Sequence, residues 1–328
     1  MDVEDPLSFI TLPATMLFFR ILLLLTLATT ASPSAAESFR ILSQNLNRLF
    51  DDIDDGNNET VLSPAKFRER VKAAAKKIGY QFKLPEIIAL QEVENQNLLI
   101  QISLEIQRRH GLRYQTVLIP GQDISGINVG YLLHPSLSIN EVAQLFGDTR
   151  QGYNDHPLFS RPPLYIEVCR NQQCLSLLNL HLRSMRGIDS QRDGQRVRRK
   201  RLQQASTIAA WIDDFQARKP GISLMLIGDF NALTPSDRHV DVAGIIRGDP
   251  DNEQTRIRAE DLLDPDLIDL TRWVPASRRY SYIYRKKKQQ LDYMMVNQGF
   301  QPSLVNIRFS RIDYHFSDHA GLIAEFDW

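Results

Sequence analysis

Short apolar runs that end in polar side chains recur along this chain. Leu224, Met225, Leu226 and Ile227 form one, and Gly228, Asp229, Phe230 and Asn231 follow it. Four consecutive apolar residues read as a strand buried on both faces. Gly228 is expected to break that strand and free the backbone to turn. Asp229 and Asn231 alternate across Phe230, so extended backbone points both the same way. Residues 87–90 repeat the pattern and deliver Gln91 and Glu92, and residues 177–180 deliver His181. Residues 39–46 predict a strand with Asn45 near its end. The last run, residues 321–326, is entered through Ser317, Asp318 and His319.

Helical spacing fills the gaps between these runs. Ser63 and Pro64 open a helix expected to reach about residue 78 and stop at Gly79. A second helix is expected over about 95–110, closed by Gly111, and a long amphipathic one ends near 215. Further strands are expected over 114–119, 129–133 and 137–146, with irregular chain over 148–163. Residues 281–285 and 291–297 read as a hairpin around Lys286, Lys287 and Lys288. Strands outnumber helices and do not simply alternate with them, which predicts mixed sheets packed face to face with helices outside. No Pro/Gly/Ser-rich linker divides the chain after its first segment, so one domain is expected.

Composition narrows the picture. The 328 residues carry 39 Lys plus Arg against 39 Asp plus Glu, so no global field draws the chain to polyanions and any basic footprint is local. Residues 16–28 are almost wholly apolar, and Ser34 and Ala36 stand at the −3 and −1 positions of a cleavage before Glu37. Residues 1–36 therefore read as a secretory signal, with Met16 as the suspected true start because residues 1–15 are acidic rather than basic. An exported product, periplasmic or extracellular, is the expectation, with 37–328 as the catalytic domain. Cys169 and Cys174 flank a four-residue turn between apolar runs, and a disulfide across that hairpin is favoured over free thiols. The acidic residues 51–58 lack the spacing of a calcium-binding loop and read as solvated.

At or near the ends of the buried runs stand Asn45, Glu92, His181, Asp229, Asn231, Asp292, Asp318 and His319. Each alone is ordinary. Together they form an oxygen-rich set suited to Mg²⁺ or Mn²⁺, with Ca²⁺ as a further candidate, plus two imidazoles that titrate near neutrality. The pieces Ser43-Gln44-Asn45, Leu90-Gln91-Glu92-Val93, Asn179-Leu180-His181-Leu182, Gly228-Asp229-Phe230-Asn231, Leu291-Asp292-Tyr293 and Ser317-Asp318-His319 resemble, in order, the motifs of the endonuclease/exonuclease/phosphatase superfamily. That resemblance implies a deoxyribonuclease I-like four-layered α/β sandwich, with two mixed β-sheets flanked by helices, and phosphate-ester hydrolysis by in-line attack of water. It also implies that Glu92 binds the divalent metal, assisted by Asn45, with Asp318 supporting the metal side. Asp229 then positions the water and Asn231 contacts phosphoryl oxygens. His319, oriented by Asp292, serves as base or transition-state stabiliser, and His181 contacts phosphate or helps the leaving group.

Two basic patches bear on the substrate. The first runs from Arg183 to Arg201, and these two arginines are candidate substrate contacts; the second sets Arg278, Arg279, Arg285 and Lys286–Lys288 among Tyr280, Tyr282 and Tyr284. Cations interleaved with aromatics suit a nucleic-acid backbone, so an exported, monomeric nuclease without stable membrane association is the first reading. A sphingomyelinase or phospholipase C-like phosphodiesterase is the alternative, and an inositol phosphate phosphatase the third. Solvated helix and turn surfaces explain either patch equally well when taken singly.

Overall fold

The computed structural model describes residues 38–328 apart from 57–58, 153–154 and 234–236, so the expected signal segment lies outside the described residues. Fourteen strands follow one another as β1 (Ser38–Leu49), β2 (Ile87–Val93), β3 (Gln115–Leu118), β4 (Asn128–Leu133), β5 (Ser138–Gln144), β6 (Leu164–Arg170) and β7 (Gln173–His181), then β8 (Ser223–Asp229), β9 (Ile268–Asp269), β10 (Tyr282–Tyr284), β11 (Lys287–Gln289), β12 (Asp292–Val296), β13 (Ser303–Phe309) and β14 (Leu322–Asp327). The α-helices are α1 (Pro64–Lys76), α2 (Gln96–His110), α3 (Gly194–Arg218) and α4 (Val242–Arg247). One six-stranded sheet has the order β13-β14-β1-β2-β4-β3, the other β5-β6-β7-β8-β12-β9, and β10-β11 stands apart as a small ribbon. Each large sheet has a parallel pair at its centre, β1 with β2 and β7 with β8, among antiparallel neighbours. Among the described residues, no helix is long and apolar enough to cross a membrane.

Burial on both faces explains the unbroken apolar runs. In β1, Phe39 and Ile41 enter the core between the sheets, whereas Leu42 and Leu46 pack under α1 and α2. In β8, Met225 and Ile227 face the same inter-sheet core, while Leu224 and Leu226 meet the apolar faces of α3 and α4. The side-chain period of two thus sorts each run between two cores and yields four layers, helix–sheet–sheet–helix, as expected.

Several local expectations change. Gly79 does not stop α1; the chain continues through a π-helical turn over Lys77–Gln81 in which Gly79 is buried. Residues 281–297 do not form one hairpin. Tyr282–Tyr284 pairs with Lys287–Gln289 around Arg285 and Lys286, whose φ values of 46° and 66° suit a tight turn, and β12 then joins the second large sheet. Gly228 stays within β8. A Cβ there would lie 2.2 Å from the Leu180 carbonyl oxygen, so this glycine permits close approach to β7 rather than a break.

Candidate active site

The inner-face period of each central strand runs from apolar to polar toward one end of the sandwich. Along β7 it reads Leu175, Leu177, Asn179, His181; along β8 Met225, Ile227, Asp229; along β1 Phe39, Ile41, Ser43, Asn45. Register sets His181 opposite Asp229, and Asp229 opposite Asp292, in one row across β7, β8 and β12. The other sheet brings Asn45 and Glu92 to the same end. Behind the row lies a buried polar layer. Gln91 Nε2 donates to Asn179 Oδ1 at 2.8 Å, and Asn179 Nδ2 donates to the carbonyls of Leu90 and Gly130, both at 3.0 Å. These amides tie the sheets together, since Asn179 comes from one and Gln91, Leu90 and Gly130 from the other.

Glu92 sits where the pairing of β2 with β4 slips by one residue, at φ 59°. Such a bulge re-aims a side chain, and positive φ in a glutamate is held only where its surroundings demand it. Asn45 Nδ2 donates to Glu92 Oε1 and to Asp229 Oδ2, both at 3.1 Å. His181 Nε2 lies 3.8 Å from Glu92 Oε1 and 3.6 Å from Asp229 Oδ2. His319 Nδ1 is 2.8 Å from Asp292 Oδ2, and its Nε2 is 3.9 Å from Asp229 Oδ2. Asn231, at φ 50°, donates its backbone N–H to Asp229 Oδ1 at 2.8 Å and its side-chain amide to the Leu182 carbonyl at 3.2 Å. Asp318 is half-buried and outside the Glu92–His181–Asp229 group, acting by charge on His319, Arg70 and Tyr282.

Electrostatics separate the two imidazoles. Burial disfavours a charged His319 ring, but Asp292 and Asp229 outweigh it and raise its pKa to about 10. His181 is driven the other way, first by burial and then by Arg161 and His319, so it is neutral near pH 7. Asp229 is raised to about 7, chiefly by burial, with Asp292 and Glu92 adding and His319 opposing. The donor atoms of Glu92, His181 and Asp229 lie within 4.8 Å of one another. Two crowded carboxylates and an imidazole, one carboxylate already driven toward protonation, fit a divalent cation, which would neutralise both acids.

The expected substrate arginines divide. Arg183 is half-buried beside the site, with its guanidinium on Ser184 Oγ and the Arg186 carbonyl. Arg201 is a correction: it is 1% exposed, donates to the carbonyls of Arg183 and Asn231, both at 2.7 Å, and pairs with Asp237 at 2.7 Å. With Nη1 and Nη2 thus committed and the side chain sealed from solvent, it holds the site's backbone rather than a substrate. Arg161 plays a similar part, donating to the carbonyls of His181 and Leu182 while paired with Asp123. Sequence reasoning passed over Arg161 and Arg70, and placed Tyr282 only in the second basic patch, whereas its ring centroid lies 5.2 Å from that of His319. At the end of β7 opposite His181, Cys169 and Cys174 are joined as a disulfide across the β6–β7 turn.

No protein-family model matches the chain, and no curated protein matches it by sequence. Solved structures do. Truncated Caenorhabditis elegans TDP2 superposes with a TM-score of 0.56 at 17% identity, covering 89% of this chain and 98% of that one. D. rerio TDP2 complexed with a single-strand DNA product gives 0.58 at 17%, covering 89% and 100%. An endonuclease/exonuclease/phosphatase family protein from Leptotrichia buccalis gives 0.57 at 13%, covering 88% and 100%. At such identities the likeness is one of fold, and the paired six-stranded mixed sheets with flanking helices agree with it: this chain has the endonuclease/exonuclease/phosphatase fold.

Proposed function

We propose that this chain is a divalent-metal-dependent phosphodiesterase and, more narrowly, an exported nuclease. The observation that carries the reading is the single row His181–Asp229–Asp292, faced by Glu92 and Asn45 from the other sheet and closed by His319. A phosphodiester is anionic, and attack by water adds charge, so the site must supply positive charge and donors where that charge grows. Glu92, Asp229 and His181 would hold Mg²⁺ or Mn²⁺, which when bound supplies Lewis-acid stabilisation of the phosphoryl oxygens. Asp229 orients the attacking water and accepts its proton. His319 is held charged by Asp292 and donates from Nε2 to a phosphoryl oxygen. Neutral His181, facing Glu92 and Asp229 through Nε2, serves the cation rather than the expected phosphate or leaving oxygen, and the side-chain amide of Asn231 donates to the adjacent Leu182 carbonyl.

Nucleic acid is the favoured substrate. The β10–β11 ribbon leans on His319 through Tyr282 and projects exposed Arg285, Lys286, Lys287 and Lys288, while D. rerio TDP2, of the same fold, is complexed with single-strand DNA. A cationic tip of this kind does not suit entry into a bilayer, which disfavours the phospholipase reading. Export rests on the apolar residues 16–28 and on the disulfide, which suits an oxidising compartment. The deciding measurement sets Mg²⁺- or Mn²⁺-dependent release of acid-soluble nucleotides from DNA and RNA against phosphocholine release from sphingomyelin. Nucleotide release that is abolished by chelation is expected; phosphocholine release alone would overturn the nuclease reading.

A further inference from the structure

The end of β1 makes a left-handed turn that no glycine relieves. Asn47 and Arg48 have φ values of 49° and 54°, and two successive non-glycine residues in this region are strained. The turn does two jobs. The Asn47 N–H donates to Asn45 Oδ1 at 2.8 Å, which aims the Asn45 amide nitrogen at Glu92 and Asp229. The Arg48 N–H donates to Glu92 Oε2 at 2.8 Å. Its carbonyls point the other way, toward α1, where one side chain gathers all three. Arg70 Nη2 donates to the carbonyls of Leu46 at 2.6 Å and Asn47 at 3.0 Å, and Nη1 to that of Arg48 at 2.9 Å. A planar, permanently charged fork can satisfy three converging carbonyls; an ammonium on a flexible stem cannot do so in the same geometry.

Building on the metal-dependent reading above, we infer that Arg70 is a positioning residue for the metal: it holds the Asn47–Arg48 turn left-handed, and the turn in turn fixes Asn45 and Glu92. Arg70 does not touch the donor atoms. Its charge acts on Glu92 and Asp318 from behind, and by charge alone a nearby guanidinium repels a bound cation. The two roles therefore predict opposite signs. If Arg70 acts through the turn, removing it weakens metal binding; if it acts only as a charge, removing it strengthens binding.

The test titrates the full chain with Mn²⁺ by calorimetry, without substrate, in wild type, Arg70→Met, Arg70→Lys and Glu92→Gln. Wild type is expected to bind one Mn²⁺ and Glu92→Gln to lose it. Arg70→Met is expected to raise Kd by about tenfold or more, the size of effect typical of residues behind a metal ligand, and Arg70→Lys by a smaller factor. A double-glycine background, Asn47→Gly with Arg48→Gly, separates positioning from mere packing, because glycine enters the left-handed region without strain. In that background the loss from Arg70→Met should shrink to a few-fold. Unchanged or tighter binding in Arg70→Met overturns the proposal. So does an equal loss in both backgrounds. Arg70→Lys reads the same sign should Arg70→Met fold poorly. Failure of wild type to bind Mn²⁺ would overturn the metal site itself, whereas wild-type binding with an indifferent Arg70 overturns only its positioning role.

Discussion

Removing the His319 imidazole would leave Asp292 buried beside Asp229 with no cation between them. His319→Ala should therefore lose roughly 10³-fold in kcat, while far-UV circular dichroism stays that of the wild type; near-full turnover would remove His319 from the mechanism. Glu94 offers a prediction about stability instead of chemistry. It is 6% exposed, and burial, reinforced by Asp51, Asp55 and Glu59, raises its pKa from 4.5 to about 7. Because the folded pKa is raised, the folded state holds its proton more tightly. The penalty is absent below pH 4.5, grows as pH rises through about 7 and is complete above it. Glu94→Gln should thus raise the melting temperature by roughly 3 °C at pH 8 and leave it unchanged at pH 4. Arg201 shows what single residues conceal. Surrounded in sequence by arginines and lysine, it read as part of a cationic surface. Yet it falls on the helical stripe of Val197, Gln204, Ala205 and Ile208, all buried in α3. The spacing placed it inside, and the charge run hid the spacing.

At the scale of elements, the strands that carry the candidate site were legible because they are buried on both faces, and their polar ends stood out against unbroken apolar runs. What escaped was the periphery. Strand β13 lies at a sheet edge with only Ile307 buried, so its pattern is nearly that of a loop. The two-residue β9 carries no periodicity at all. The inner polar layer escaped for a different reason: Gln91 and Asn179 were read as parts of motifs, and only pairing across the sheets reveals their use. Asn179→Ala would leave the buried Gln91 amide without its 2.8 Å acceptor and should cost about 2–3 kcal/mol in chemical denaturation. Gly228→Ala forces a methyl onto the Leu180 carbonyl at φ 133° and should cost at least about 3 kcal/mol. A variant of native stability would mean that β7 and β8 can separate at little cost.

For the molecule as a whole, charge balance makes local patches decisive. With equal numbers of acidic and basic residues, salt sensitivity toward a polyanion comes from local patches, and of the two basic ones the β10–β11 ribbon is the one that leans on His319. Replacing Lys286, Lys287 and Lys288 by alanine should raise KM for DNA and flatten the log–log salt dependence by about 2 units. An unchanged slope would locate the nucleic-acid track elsewhere.

The strand that opens the described chain runs antiparallel to the one that ends it, with Ser38 opposite Asp327, and these two lie side by side in the interior of one sheet. His319 arrives with that final strand, only three residues before Leu322. A nascent chain halted after residue 309 thus lacks both the neighbour of β1 and the imidazole. It should be hydrolytically silent however much of its second sheet has formed. A site assembled in this order stays silent until the last described strand has emerged, and ribosome-arrested chains of increasing length, assayed for cleavage of a fluorogenic diester, should switch on only when that strand is free to dock.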